Sequence, residues 1–540
     1  MDIHCALKFV QTLSIMKRKS ISLVTNAFVH FRIRILFSNV RYNSTASSGV
    51  REQYQLKNGG AKSASKDITE LIVQQTFRGF SASEMQRRID GIIPAKVSQV
   101  RNAEISLQVL ADILHGAAKH KLQVSLECFT VLLSQNNEQL NPQTFWKLLY
   151  GLKSFYSDSG DGPAIMPLVS AITKKAIHFN APVNDMDISL ALYGLQHLSS
   201  RHMEVMRLLS ILAPKFKGCR YEFSGGTIST ALFGLQSMSS KSPEVRMMLS
   251  LIAQKICESS LTNWSIREIS VSFIGLKEMT CEEPEVRRLL SLLTDKVASC
   301  REDFDSTCIT NIFHGLRNMS SEHIEVRNIL LLLPEKISNC WDTMNSHNLS
   351  TCLNGMRNMH SHHREVLNVL SALTERIDSC PEEFNNKGIG NSLFGLRNMS
   401  SDHPEVLRIV VALTSKIEES TCQMRPWNIS TALVGLQGLS SEREEVRALI
   451  SALLPKIEEC SQGFEEYPEG IELLVGLQGL NSDHEEVRRL LRLLLWKFMS
   501  CREDISTENA KAGLTALSKM NSRYRIVAEF RRFLQSCIKE

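Results

Sequence analysis

Aromatic residues make up only 6% of this 540-residue sequence, which holds 14 prolines and 27 glycines. So few rings and turn formers exclude a sandwich of short strands, and 43% hydrophobic residues exclude a disordered chain. No apolar run approaches the roughly 18 residues that a membrane span requires. Candidates such as residues 329–333 are short and flanked by charge. There is no C-x-x-C pair among the 14 cysteines. Cys219, Cys300, Cys340, Cys380, Cys460 and Cys501 are spaced apart along the chain, against both a disulfide framework and a zinc knuckle. They are expected to be small buried residues in a reducing compartment. The cluster His360, His362, His363 lacks a second ligand pair in the sequence and is expected to be a solvated loop without metal.

Catalytic signatures are missing as well. The chain has no G-x-x-x-x-G-K loop, no G-x-G-x-x-G, no H-E-x-x-H and no G-x-S-x-G. The expectation is a protein that is not an enzyme, with no cofactor and no small-molecule substrate.

The formal charge of +5 is concentrated at the start. Residues 1–43 hold Lys8, Lys17, Arg18, Lys19, Arg32, Arg34 and Arg41 against a single acid, Asp2, and the rest of the chain carries a net −1. Bulk positive charge therefore does not choose the partner; a polyanion site requires charge segregated onto one face. The basic, Ser-rich, acid-poor segment 1–43 reads as a mitochondrial-type targeting peptide ending after Arg41, with Met16 as a second plausible start. Import into the mitochondrial matrix is expected, with the plastid stroma as the alternative. Residues 44–67, rich in Ser, Gly, Ala and Lys, read as a flexible linker. Residues 68–135 read as an N-terminal helical region with room for degenerate repeats, and residues 136–540 as the repeat array.

What the sequence does have is a period. Gly-Leu or Gly-Met pairs recur at Gly151, Gly194, Gly234, Gly275, Gly315, Gly355, Gly395, Gly435 and Gly476, continued by Ala516-Leu517, in steps of 40 to 43 residues. With the glycine as position zero, apolar residues fall at −6, −2, +1 and +4, as in Ile228, Leu232, Leu235, Met238 and Ile389, Leu393, Leu396, Met399. Those spacings make one face of an α-helix. A pair such as Ser239-Ser240 or Ser400-Ser401 is expected to end that helix, and Glu-Val, preceded by Pro243, Pro284 or Pro404, to open a second. The expected fold is all-α: a right-handed superhelical solenoid of about ten helix-turn-helix repeats of about forty residues. The glycine, with a small residue often three before it, is expected to let neighbouring helices approach closely.

Positions −4, −1 and +3 share one face of the first helix. They read Thr230, Phe233, Ser237; Val271, Ile274, Glu278; Asn311, His314, Asn318; Thr351, Asn354, Asn358; Asn391, Phe394, Asn398; and Thr431, Val434, Gly438. Amides and hydroxyls hydrogen-bond base edges, and Phe or His stacks on bases. The candidate RNA-reading residues are therefore Thr230, Phe233, Ser237, Asn311, His314, Asn318, Thr351, Asn354, Asn358, Asn391, Phe394 and Asn398. At position +2 stand Lys277, Arg317, Arg357 and Arg397, the candidate phosphate contacts. A second basic column, Lys215, Lys255, Lys296, Lys336, Arg376, Lys416, Lys456 and Lys497, sits near the end of the second helix, where a cation meets the helix dipole.

Residues 228–238, Ile-Ser-Thr-Ala-Leu-Phe-Gly-Leu-Gln-Ser-Met, followed by Ser-Pro-Glu-Val at 242–245, resemble the octotricopeptide repeat. They also resemble the related helical region of organellar RAP-domain proteins. The resemblance covers roughly residues 140–535 and implies paired-helix repeats that bind specific organellar single-stranded RNAs, controlling their processing, stability or translation. A HEAT-like or armadillo-like scaffold for organelle assembly is the rival reading, with Tyr193, Phe233 and Phe394 anchoring a partner helix.

Overall fold

The structure, a computed structural model, describes residues 106–122, 124–155, 164–260, 263–460, 468–499 and 505–538. All of them belong to one compact unit, Lys62–Glu540. The expected targeting peptide 1–43, the linker 44–67, residues 68–105 of the expected N-terminal helical region and Cys501 lie outside the described residues.

The described residues form twenty-one α-helices and two 3-10 segments, with no strand among them. They pair into hairpins. First helices such as Asp185–Tyr193, Gly225–Gly234, Ile266–Ile274, Ser306–Leu316, Ser346–Gly355, Asn386–Phe394 and Pro426–Val434 pack on one another in chain order. Second helices, from Met203–Gly218 through Pro243–Glu258, Pro284–Ser299, Ile324–Ser338, Arg364–Asp378 and Pro404–Glu419 to Glu444–Glu458, form a parallel layer. The stack already includes Leu107–His120 and Leu126–Gln135, which pack on Pro142–Gly151 and Met166–Ile177 respectively. Each hairpin buries its apolar stripe against the next, so the array is a helical solenoid. In the tenth hairpin the first element is the 3-10 segment Pro468–Leu477.

Local chemistry accounts for the boundaries. Asn184, Ser224, Ser265, Asp305, Asn345 and Asn385 each cap a first helix by accepting a backbone N–H three residues on. Pro243, Pro284 and Pro404 occupy the first turn of second helices, where the missing N–H costs nothing. The core positions are those the period marks: Ile228, Leu232, Leu235 and Met238 are buried, as are Ile389, Leu393, Leu396 and Met399. The valine of every Glu-Val pair from Val205 to Val487 is fully buried.

The anchor glycine is a contact between backbones. A Cβ at Gly355 would fall on the Phe313 carbonyl oxygen, and the same clash recurs at Gly194 with Leu149, Gly234 with Leu192, Gly315 with Phe273 and Gly395 with Leu353. The first helix ends at or within two residues of this glycine in these repeats, a turn earlier than the period predicts. The chain then tightens into i→i+3 turns, with Leu235 N–H donating to Leu232 C=O at 2.9 Å and Met238 N–H to Leu235 C=O at 2.9 Å.

The Ser-Ser pair does more than end a helix. Its second serine is buried and accepts a backbone N–H from the following repeat. Thr280 donates to Ser240 Oγ at 3.1 Å, His360 to Ser321 at 2.9 Å, Ser400 to Ser361 at 2.8 Å and Ser440 to Ser401 at 3.0 Å. This ladder stitches one edge of the stack and satisfies groups that burial would otherwise leave unpaired. Twelve cysteines fall among the described residues and all are free thiols. Cys219, Cys300, Cys340, Cys380 and Cys460 are buried just beyond the second helices.

Candidate nucleic-acid interface

Because the glycines bring first helices into backbone contact, equivalent side chains of successive repeats also come into register. Position −1 is half-buried in each repeat from Tyr150 to Phe394. In the early repeats it carries rings. Tyr150 and Tyr193 stack at 5.7 Å with 20° between planes, and Tyr193 and Phe233 at 5.4 Å with 20°. His115 extends the series, 5.1 Å from Tyr150, and Trp146 stands edge-on to it at 5.0 Å. Lys153 Nζ lies 3.9 Å from the centroid of the Tyr150 ring and 5.0 Å from that of Tyr193. Burial, aided by Lys121, lowers the Lys153 pKa to about 8. Burial likewise brings His115 to about 4, with Lys147 and Lys119 contributing.

From Lys277 onward the chemistry at positions +2 and +3 changes. Arg317 donates from Nε to the Lys277 carbonyl at 3.2 Å, Arg357 to the Arg317 carbonyl at 2.9 Å, and Arg397 to the Arg357 carbonyl at 2.9 Å. Each guanidinium also reaches the +3 side chain of the preceding repeat: Arg317 pairs with Glu278, Arg357 with Asn318 and Arg397 with Asn358. The asparagines complete the ladder. Asn318 donates to the Lys277 carbonyl at 2.8 Å, Asn358 to Arg317 at 3.1 Å and Asn398 to Arg357 at 3.0 Å. Phe394 lies beneath this ladder, its centroid 4.8 Å from Arg397 Cζ and 5.9 Å from Arg357 Cζ.

Four cations thus stand in a row, and Glu278 pairs with Arg317 within it. Burial lowers the Arg357 pKa to about 10, and Arg317 and Arg397 on either side lower it further. Burial and Arg317 lower Lys277 in the same direction. His314 falls to about 4 through burial and the charges of Arg317, Lys277 and Arg357, so it is neutral at neutral pH. A group of half-buried like charges that repel one another is stabilised by an arriving anion.

The remaining candidates take different places. Ser237 donates to the Gln196 carbonyl at 2.7 Å, Asn311 to Ser270 Oγ at 2.7 Å, and Thr230 back to the Gly226 carbonyl at 2.7 Å. Thr351 and Asn391 are half-buried on their helices. Asn354 Oδ1 is buried without a hydrogen-bond partner. The recurrence of Asn and Thr along this face therefore has a packing cause, since several of these side chains bond the neighbouring repeat. Position +3 lies beyond the end of the first helix and meets the preceding repeat's turn. Tyr193, Phe233 and Phe394 are half-buried in these ladders.

Most of the second basic column binds carbonyls at the end of the preceding repeat's second helix, and Lys255 and Lys416 also pair with Glu258 and Glu419 at their own helix ends. Lys255 donates to Cys219 O at 3.1 Å and Lys416 to Cys380 O at 3.0 Å, and Arg376 reaches Ile337 O, Ser338 O and Cys340 O. Lys215 and Lys456 make the same contact with Phe179 O and Ser420 O. This column is a structural stitch.

Sequence reasoning missed Tyr150, Trp146 and His115 as a continuous ring series. The available signal was Leu114-His115-Gly116, which repeats the Leu-Tyr-Gly of residues 149–151. A Cβ at Gly151 would strike Leu114, as the later glycines strike the residue two before the preceding glycine.

No family model matches the chain, and no curated protein matches it. Among solved structures, that of APUM23-GGAGUUGACGG aligns at 13% identity, covering 87% of this chain and 96% of the other with a TM-score of 0.26. A likeness that loose bears no weight, and the fold stands on the chain's own helices and their packing.

Proposed function

We propose that the first-helix layer binds single-stranded RNA, and that the protein acts in an organelle in post-transcriptional control of RNA processing, stability or translation, without catalysis of its own. The observation that carries this is the Lys277–Arg317–Arg357–Arg397 row, in which Arg317 pairs with Glu278, on the same layer as a row of half-buried rings. Phosphates take the first row, and bases stack against or bond to the second. Residues 1–43 support import into the mitochondrial matrix, with the plastid stroma as the alternative.

The test is crosslinking of the tagged protein in its own organelle with sequencing of attached RNA, followed by binding of the recovered sequence in vitro over a range of salt. The expected result is one or a few transcripts at a defined site, with affinity falling steeply as salt rises. Recovery of no RNA above background, with a stable protein copurifying, replaces this reading with the scaffold.

A further inference from the structure

The turn between the two helices of a repeat follows a rule along most of the array. Position +5 is Ser, Thr or Asn, and in most repeats its side chain accepts the backbone N–H of +7. Lys241 donates to Ser239 at 3.3 Å, Glu322 to Ser320 at 3.2 Å, Asp402 to Ser400 at 3.2 Å and Asp483 to Asn481 at 3.0 Å. Position +8 is often a histidine that meets the +7 carboxylate of the preceding repeat: His323 with Glu282 at 3.3 Å and His484 with Glu442 at 3.4 Å. One repeat breaks the rule. At +5 and +7 it carries His360 and His362, and so gives up the side-chain bond that shapes the other turns.

Both added imidazoles turn to the carboxylate that the +8 histidine already faces. Nε2 of His362 lies 3.2 Å from Glu322 Oε1, that of His363 3.5 Å and that of His360 4.0 Å. The donor atoms of Glu322, His360 and His362 all lie within 4.8 Å of one another, the only such group among the described residues. His363 Nε2 is buried beside the Glu322 carboxylate. The turn that carries them is held from both sides, His360 N–H by Ser321 Oγ at 2.9 Å and Ser361 Oγ by Ser400 N–H at 2.8 Å.

We propose that Glu322, His360 and His362, with His363 at the rim, form a site for a divalent transition-metal ion of the zinc class. Tetrahedral zinc holds nitrogen and oxygen ligands about 2.0–2.2 Å away, so its donor atoms stand roughly 3.3–3.5 Å apart. Closing spacings of up to 4.8 Å to that geometry takes about 1.4 Å, shared between the ligands by side-chain rotation. Imidazoles with one carboxylate suit zinc, whereas magnesium and calcium prefer oxygen-only shells. The ligands come from two consecutive turns, so the ion staples adjacent repeats at the edge where the serine ladder runs. Glu322 stands a full repeat before the histidines, which is why sequence alone showed three histidines and no carboxylate partner.

The experiment uses the untagged full chain, stripped with a chelator and titrated with Zn²⁺ by calorimetry and with Co²⁺ by visible absorption. The double variant His360→Ser/His362→Lys carries the residues of the turn at Ser239 and Lys241, which fold in the same scaffold. The expected result is one equivalent bound, a tetrahedral Co²⁺ ligand-field band without thiolate charge transfer, and a metal-dependent rise in Tm. The variant is expected to keep its fold and to lose at least the roughly 10–100-fold that even an outer-shell substitution costs a metal site. Absence of a saturable equivalent overturns the proposal, as does equal binding by the variant or a thiolate band that assigns the ion to cysteine.

Discussion

The repeats around Tyr150–Phe233 and those around Lys277–Asn398 share one backbone and differ in what they place on it. In the first, stacked rings fill position −1, with buried Gln196 and Gln236 at +2. In the second, Arg317, Arg357 and Arg397 interlock with Asn318, Asn358 and Asn398. The glycine contact spaces the side chains equally in both. The difference teaches that this scaffold sets the spacing and leaves the chemistry free, repeat by repeat, which is what a surface that meets a polymer requires. It also shows that the side chains holding repeats together are the ones that line the proposed RNA surface.

The comparison can be broken most strongly at the arginines. The triple variant Arg317→Ala/Arg357→Ala/Arg397→Ala is expected to lose about 100-fold or more in RNA affinity at low salt, since hydrogen bonds to charged groups contribute about 1.5–3 kcal/mol each. Its log-affinity against log-salt slope should fall by about 2, at roughly 0.7 per phosphate for a single strand. Fluorescence anisotropy across salt concentrations reads both, and an unchanged slope removes the phosphate role.

Gly355→Ala attacks the spacing itself. The new methyl meets the Phe313 carbonyl, which is backbone and cannot rotate away, so a loss of about 1–3 kcal/mol or more is expected in denaturant unfolding. Gly218→Ala is its control: nothing lies within 4 Å of that position, and the change should stabilise by up to about 1 kcal/mol.

Tyr193→Ala sharpens the comparison from the other side. Losing a stacking platform is expected to cost about 1–3 kcal/mol of RNA affinity while leaving the salt slope unchanged, the reverse of the arginine signature. A fall in slope would place Tyr193 outside the stacking row.

His314 adds a pH test. Its folded pKa is lowered to about 4, so between about 6.5 and 4 the unfolded chain binds the extra proton and stability falls as pH falls. His314→Gln should remove roughly 1–3 kcal/mol of that acid loss, measured as Tm against pH. The smallest effect belongs to Lys153, lowered to about 8. Its charge is present below that pH and lost above it, so raising the pH from 7 to 9 should weaken RNA binding by less than about tenfold. Lys153→Arg should abolish the dependence.

Much of this was legible beforehand. Ile228, Leu232, Leu235 and Met238 were placed in the core by spacing alone, and Gly315 and Gly355 were read as points of close approach, because helical periodicity is a local property. The interlocking of Arg357 with Asn318 was not legible. Those residues are 39 positions apart, and nothing in a helical wheel says that an asparagine at +3 will face backward onto the preceding repeat. The second basic column was read as meeting its own helix end, where it stands, and its bonds to the preceding repeat were not legible for the same reason. Glu322 was invisible as a partner for His360 and His362 until the turns were stacked.

The sequence by itself determined the repeat length, the helical hairpin and the apolar stripe, since each follows from the 3.6-residue turn and from burial within a single repeat. Only the tertiary structure decided which polar side chains are stitches and which face outward, that rings at position −1 stack into a row, and that one turn gathers three imidazoles about a carboxylate. Those outcomes depend on the offset between neighbouring repeats. That offset is set by a carbonyl resting where a glycine has no side chain, a contact made across about forty residues of chain.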